Sequence, residues 1–321
     1  MSTSTQNPAL GFFLSLIAAA MWGMLPVALK ELLSGMDAIT IVWYRFIVAA
    51  AVLLPWLAFK QQLPNLIAVG WRIRWYLVIA AVGLSCNYYL FNYSLNFING
   101  ETTEAVIQLT TLFLILGGVV FYKEPFIGVQ KLGTLLIIAG LALFFNERLV
   151  DMTSLENMET IGVLIVFVSA VAWTVYALLQ KKLLETFSSV QILFFIYSFS
   201  FLVVLPFITP GSALQLTPIQ MALLGFCCLN TLVAYGCFAE ALNLWDASKV
   251  SAVLALAPLF TIGSLKLTVY FYPAYEFSDR LSLLSIIGAL LLVAGSVLTA
   301  LIPVIYQRSR ERAASARVTA N

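Results

Sequence analysis

The chain has 321 residues, of which 62% are hydrophobic and 10% charged, with a mean hydropathy of +0.98. So apolar a composition cannot furnish a water-soluble surface and points to an integral membrane protein. Histidine is absent, and Cys86, Cys227, Cys228 and Cys237 lie in apolar runs without a C-x-x-C pair, which excludes histidine catalysis, histidine-ligated zinc and a disulfide framework.

A bilayer-spanning helix needs about 20 apolar residues. Runs of that length occur ten times, at roughly 9–29, 38–59, 75–97, 102–122, 127–146, 160–180, 189–209, 218–243, 248–271 and 281–305. They are too long for the alternating strands of a barrel. The expected fold class is therefore an all-α integral membrane protein of ten transmembrane helices. The first run has no basic segment before it and nine runs after it, so it reads as a retained span rather than a signal peptide. Asp37 is expected to cap the second span, Thr217-Pro218 the eighth and Ser278-Asp279 the tenth.

The net charge of +2 comes from Lys and Arg scattered singly; they imply no nucleic-acid partner and report topology instead. With the N-terminus cytoplasmic, the inner side holds Lys60, Arg72, Arg74, Lys123, Lys131, Lys181, Lys182, Lys249, Arg308, Arg310, Arg312 and Arg317. The outer side holds only Lys30, Arg148 and Arg280, while Arg45 and Lys266 fall within spans. This distribution predicts both termini cytoplasmic and a basic tail over 306–321, in a multi-pass protein expected in the cell inner (plasma) membrane. The outer loop 147–159 carries Glu147, Asp151, Glu156 and Glu159.

The chain also repeats itself. An offset of 151 places Gly11 on Gly162, Trp22 on Trp173, Lys30 on Lys181 and Pro55 on Pro206. An offset of 147 places Leu95-Asn96 on Leu242-Asn243 and Leu112-Phe113 on Leu259-Phe260, and an offset of 155 places Gly133 and Gly140 on Gly288 and Gly295. Two five-helix halves, 9–146 and 160–305, follow. Because five is odd, the second half sits inverted in the membrane, an arrangement used by alternating-access transporters with a midplane site at the repeat interface.

Polar side chains inside spans are costly and are functional candidates by default. Ser85, Tyr88, Tyr89, Asn92 and Asn96 form a stripe on the third span; Glu104, Gln108 and Thr111 share a face of the fourth. Ser169, Trp173, Tyr176 and Gln180 do so on the sixth, Ser15, Trp22 and Pro26 on the first, and Asn230, Thr231 and Tyr235 add polarity to the eighth. A substrate cavity lined by Trp22, Tyr88, Tyr89, Asn92, Gln108, Thr111, Trp173, Tyr176 and Tyr235 is the expectation. The competing reading of Ser15, Ser85 and Ser169 is interhelical packing, and that of the paired glycines is close helix approach. Pro26 and Pro258 are expected to kink or break their helices. For coupling or gating, Glu240, Glu104, Arg45 and Lys266 stand out, with Glu104 expected to pair with Lys266 or Arg45, against headgroup snorkelling of the basic residues.

The segments AAAMWGMLPVALK at 18–30, Arg45-Phe46, SLNFINGETTEAVIQL at 94–109 and Lys123-Glu124 followed by GTLLIIAG at 133–140 resemble an EamA-type domain. SAVAW at 169–173, EALNLWDASKVSAVLALAPLF at 240–260 and GALLLVAG at 288–295 echo it. Two such domains in tandem resemble a member of the drug/metabolite transporter superfamily. The chain departs from that pattern at Thr111, where a proline mate of Pro258 is expected, and around Pro273 and Glu276, where a short turn is expanded.

The expected function is a secondary transporter that exports a small organic metabolite or drug, with amino-acid-like compounds the leading class by resemblance. The alternative is a lipid-linked sugar flippase subunit or another non-catalytic membrane binding protein. No enzyme activity is expected, since there is no phosphate-binding loop and no triad is available without histidine. A channel lacks its filter loop. No cofactor and no metal are called for. The partners expected are a small organic solute and the lipid bilayer, with proton coupling through Glu240, and either a monomer or a homodimer.

Overall fold

The computed structural model describes residues 7–123, 126–147, 154, 156–245, 247–273 and 275–299. The tail 306–321, Glu124, Arg148 and Asp151 lie outside them. Twelve α-helices run along the described chain: α1 (Pro8–Leu32), α2 (Ala38–Phe59), α3 (Trp71–Ser94), α4 (Gly100–Ile107), α5 (Leu109–Tyr122) and α6 (Gly128–Phe144). Then come α7 (Met158–Leu183), α8 (Ser189–Val204), α9 (Pro218–Leu244), α10 (Ala247–Leu254), α11 (Ala257–Phe271) and α12 (Leu283–Thr299). Among the described residues there is no strand. Seven helical stretches are long and apolar enough to cross a membrane, α4–α5 and the stretch from Val250 through α11 each counting as one; α3 is not among them, and α6 and α12 are shorter. The molecule is an all-helical integral membrane protein.

The helix starts follow side-chain chemistry. Asp37 accepts from the Thr40 N–H at 2.9 Å and Thr217 from the Gln220 N–H at 3.2 Å, with Pro218 in the first turn, satisfying otherwise orphaned donors. The third expected start moves. Helix α12 begins at Leu283, capped by Ser282, whose hydroxyl accepts from Ser285 N–H at 3.2 Å. Ser278 and Asp279 are instead drawn to side chains of α4 and α11.

The fourth span is interrupted at Gln108 and the ninth at Ala255–Leu256. In the fourth, the Thr110 hydroxyl donates to Ile107 carbonyl at 2.7 Å, the local back-bonding that loosens a helix. In the ninth, Pro258 brings no N–H to the first turn of α11. Pro26, by contrast, sits within an uninterrupted α1; it does not break the helix.

Helix α3 lies along α7 and α1 along α9, α2 crosses α8, α1 meets α11 and α5 meets α7. One buried cluster joins α2, α3, α7 and α8 around Phe46, Leu84, Tyr88, Tyr176, Ile196 and Tyr197. A second joins α1, α2 and α9, and a third α4, α6, α7 and α12. Since lipid is as apolar as these side chains, close contact rather than water exclusion holds such pairs. The carbonyls and glycines at Gly133/Gly295 and Gly140/Gly288 let α6 and α12 touch backbone to backbone. Asn87 donates to Ser169 Oγ at 2.9 Å and ties α3 to α7, and Ser85 hydrogen-bonds Ser200 of α8. Ser15 bonds only to its own helix, at Gly11 carbonyl.

Candidate solute site

Arg45, on the second turn of α2, is 3% exposed. Its Nε donates to Thr231 Oγ1 of α9 at 3.0 Å, and its guanidinium carbon stands 4.5 Å from the ring centroid of Tyr88 on α3. Such a stacked, desolvated cation is worth about 2 kcal/mol. No carboxylate pairs with it among the described residues. Phe46 carries the cluster onward, lying 4.9 Å from Tyr88 and stacked at 5.3 Å on Tyr197 of α8. Tyr176 shares this buried cluster, and Trp173 and Tyr235 pack against it. Trp22 of α1 meets Tyr235 edge-on at 5.3 Å. Six helices thus converge on one aromatic centre.

That centre holds unsatisfied polar atoms. On α3, one turn from Tyr88, Asn92 is 0% exposed and neither of its amide atoms has a hydrogen-bond partner among the described residues. Each such group costs about 1–3 kcal/mol. A buried amide left open one turn from the ring that stacks on a cation is what a bound polar group would complete.

A recess of 780 Å³ opens at the Asp37 end, in the size range of solute sites. It is lined by the α1–α2 loop, by Tyr89, Tyr93 and Asn96 of α3, and by Phe207, Thr209 and Ser212. Tyr89 and Tyr93 stack 5.5 Å apart on its wall. At its rim Asp37 Oδ2 accepts from Thr40 Oγ1 at 2.7 Å and from Thr209 Oγ1 at 2.6 Å, clamping the start of α2 to the chain after α8. Burial raises the Asp37 carboxyl, but hydrogen bonds from Thr209, the Thr40 hydroxyl and Thr40 N–H outweigh it and leave the group below its ordinary value. At the opposite end Gln191 Nε2 donates to Gln62 carbonyl at 2.8 Å, joining the start of α8 to the chain after α2.

The remaining expected residues are dispersed. Gln108 sits at the α4–α5 joint, where its Oε1 accepts from Ser296 of α12 at 3.3 Å, and Thr111 follows in the first turn of α5, partly buried. Tyr89 lines the recess, not the buried cluster. Glu240 is exposed, four residues before the end of α9. Glu104 is 5% exposed on α4 and pairs with neither Lys266 nor Arg45. Lys266 reaches Glu101 instead, at 3.6 Å; Glu101 Oε1 also accepts from Ser278 Oγ at 2.6 Å and Asp279 N–H at 3.2 Å. Thr102 Oγ1 and Asn99 Nδ2 donate to the Asp279 carboxylate at 2.6 and 3.1 Å. Sequence reasoning missed Tyr197, whose position 151 residues after Phe46 was the available signal.

Residues 9–146 and 160–301 both match the EamA-like transporter family. The chain belongs to that family. An uncharacterized transporter of Haemophilus influenzae is 43% identical over 296 residues, 92% of this chain and 96% of that one. An "Uncharacterized inner membrane transporter YhbE" of Escherichia coli is 37% identical over 298 residues, 92% of each chain. One solved crystal structure, 16% identical, superposes with a TM-score of 0.62 over 92% of this chain and 99% of its own, a likeness of fold alone. As an EamA-like transporter the chain has a general role in transport across a membrane. The two matched segments cover α1–α6 and α7–α12, and the aromatic centre draws helices from each.

Proposed function

We propose that this EamA-like protein is a secondary transporter of the inner membrane that exports a small organic solute by alternating access between two inverted five-helix halves. The observation that carries this reading is the aromatic centre, because its parts are repeat mates. Trp22 corresponds to Trp173, Tyr88 to Tyr235 and Phe46 to Tyr197, and Phe46 and Tyr197 stack on each other, as a pair straddling a two-fold axis would. Other relations support it. Helices α4 and α10 stand 147 residues apart at both ends, α3 on α7 mirrors α9 on α1, and Gly133 on Gly295 mirrors Gly288 on Gly140. Midplane sites between inverted repeats are a recurrent transporter design.

The same halves, with both termini cytoplasmic, make the Asp37 recess an extracytoplasmic vestibule. Trp22, Tyr88, Asn92, Trp173, Tyr176 and Tyr235 line the route, with Tyr89 on the vestibule wall, and Glu240, whose mate Tyr93 lines the recess, serves proton coupling on the other side. Single cysteines at Trp22, Tyr88, Asn92 and Tyr176, in a chain stripped of its four cysteines, should react with a polar thiol reagent faster than one at Leu135, which is 61% exposed on the helix surface. Equal rates would remove the cavity. A comparison of metabolites in medium and cytoplasm, with and without overexpression, should show one compound class accumulating outside; accumulation inside would reverse the direction.

A further inference from the structure

We propose that the transported solute is a monocarboxylate with an aromatic or apolar body, held through its carboxylate by Arg45; this rests on the transport reading above. A single charged side chain inside a bilayer costs about 2.5–3.5 kcal/mol even on the mildest scale. Arg45 nevertheless lies 3% exposed, with one hydrogen bond, to Thr231, and one ring face, that of Tyr88. Its fork offers five N–H donors. Only Nε is used among the described residues, and the four N–H groups of its two terminal nitrogens have the planar spacing that suits a carboxylate.

The scaffold does not require this cation. The repeat mate of Arg45 is Ile196, and that of Thr231 is Leu84, two buried aliphatic residues that fill the equivalent positions in the other half. A charge placed where the symmetric solution is a hydrocarbon side chain has been added to the fold, and the groups around it show what for. Both amide atoms of Asn92, one turn along α3 from Tyr88, are buried and without a hydrogen-bond partner among the described residues, which leaves them for a polar substituent of the solute.

Charge balance chooses between oxyanions. One arginine with no second cation beside it neutralises one negative charge; a phosphate monoester carries about −1.5 to −2 at pH 7 and would leave charge uncompensated in a water-poor centre. The rings of Trp22, Phe46 and Tyr235 supply an apolar body with faces to lie against.

The test uses the full chain expressed in cells, with untargeted mass spectrometry of medium and cytoplasm for the parent, Arg45→Gln and Arg45→Lys, each checked for folding by thermal unfolding in detergent. The compound displaced by the parent is expected to be a monocarboxylate, its flux falling at least tenfold in Arg45→Gln while Arg45→Lys retains more. A displaced compound without an anionic group overturns the inference and leaves transport standing, as does the same acid moving at the parental rate in Arg45→Gln. If overexpression displaces no compound, the transport reading fails and the inference with it. Should Arg45→Gln not fold, Arg45→Lys decides: it keeps charge but not the fork, so affinity of the purified protein for the acid should weaken at least threefold, and parental affinity refutes the proposal.

Discussion

A Cβ on Gly140 would lie 2.8 Å from the carbonyl oxygen of Gly288, and one on Gly288 would lie 2.6 Å from the carbonyl oxygen of Gly140. Helices α6 and α12 therefore meet through reciprocal backbone contacts that no larger residue can enter without pushing them apart. Overpacking of this kind costs about 1–3 kcal/mol. Gly140→Val should lower the thermal unfolding midpoint in detergent clearly, whereas Gly225→Ala, where nothing lies within 4 Å of the added methyl, should leave it unchanged or raise it slightly. Equal midpoints for the two variants would show that the contact does not limit stability.

The Glu101 cluster separates hydrogen bonding from charge pairing. Lys266 is 45% exposed at its side chain, so its 3.6 Å pairing with Glu101 is screened and worth under about 1 kcal/mol. Glu101 itself is 1% exposed and accepts from Ser278 Oγ and the Asp279 N–H; its removal leaves two donors without an acceptor, costing about 1–3 kcal/mol. Lys266→Ala should leave the 275–282 segment resistant to protease, while Glu101→Ala should expose it to cleavage. Comparable cleavage in both would assign the cluster to its charges.

Asp37 offers a dependence on pH. Its carboxyl titrates below the ordinary 3.8 when folded, so the unfolded chain binds the proton first and the clamp's contribution is full above that value, fading as pH falls through the folded one. Asp37→Asn keeps the shape and loses the charge, which should cost about 1–2 kcal/mol. The gap between parent and variant, measured by thermal unfolding, should be constant from neutral pH to about pH 5 and shrink below about pH 4. A gap that widens on acidification has the wrong sign.

For Glu240, replacement by glutamine removes titration while keeping size. If the carboxylate couples protons to the solute, Glu240→Gln in proteoliposomes should retain solute exchange at the parental rate and lose accumulation driven by a pH gradient. Undiminished gradient-driven accumulation would make it an ordinary helix-end carboxylate.

Much of the architecture was readable from spacing. Asp37 and Thr217 announce their helices because a short oxygen-bearing side chain before an apolar run has little else to do; Ser278 and Asp279 look identical in sequence, yet their oxygens serve Glu101 and Thr102, contacts 177 residues distant that no local pattern encodes, as well as Lys266 on α11. Glu101 and Glu104 sit three apart, on one face of a helix by periodicity, so the partner of Lys266 could not be chosen between them from spacing. The Arg45–Thr231 and Arg45–Tyr88 contacts bridge three helices whose relative rotation the sequence leaves open. Tyr197 was hidden by its apolar neighbours, and only the repeat offset from Phe46 betrays it.

The two interrupted spans make the same joint by different means. At Gln108 a threonine hydroxyl occupies a carbonyl, and 147 residues later, at Ala255, the following turn contains a proline. A joint held in one place by two unrelated chemistries belongs to the surrounding helices, which accept a half-length rod ending there, more than to the residue that breaks it. Such a joint should tolerate drift in its own sequence, so the short rods α4 and α10 are better traced by where helices stop than by which residues stop them.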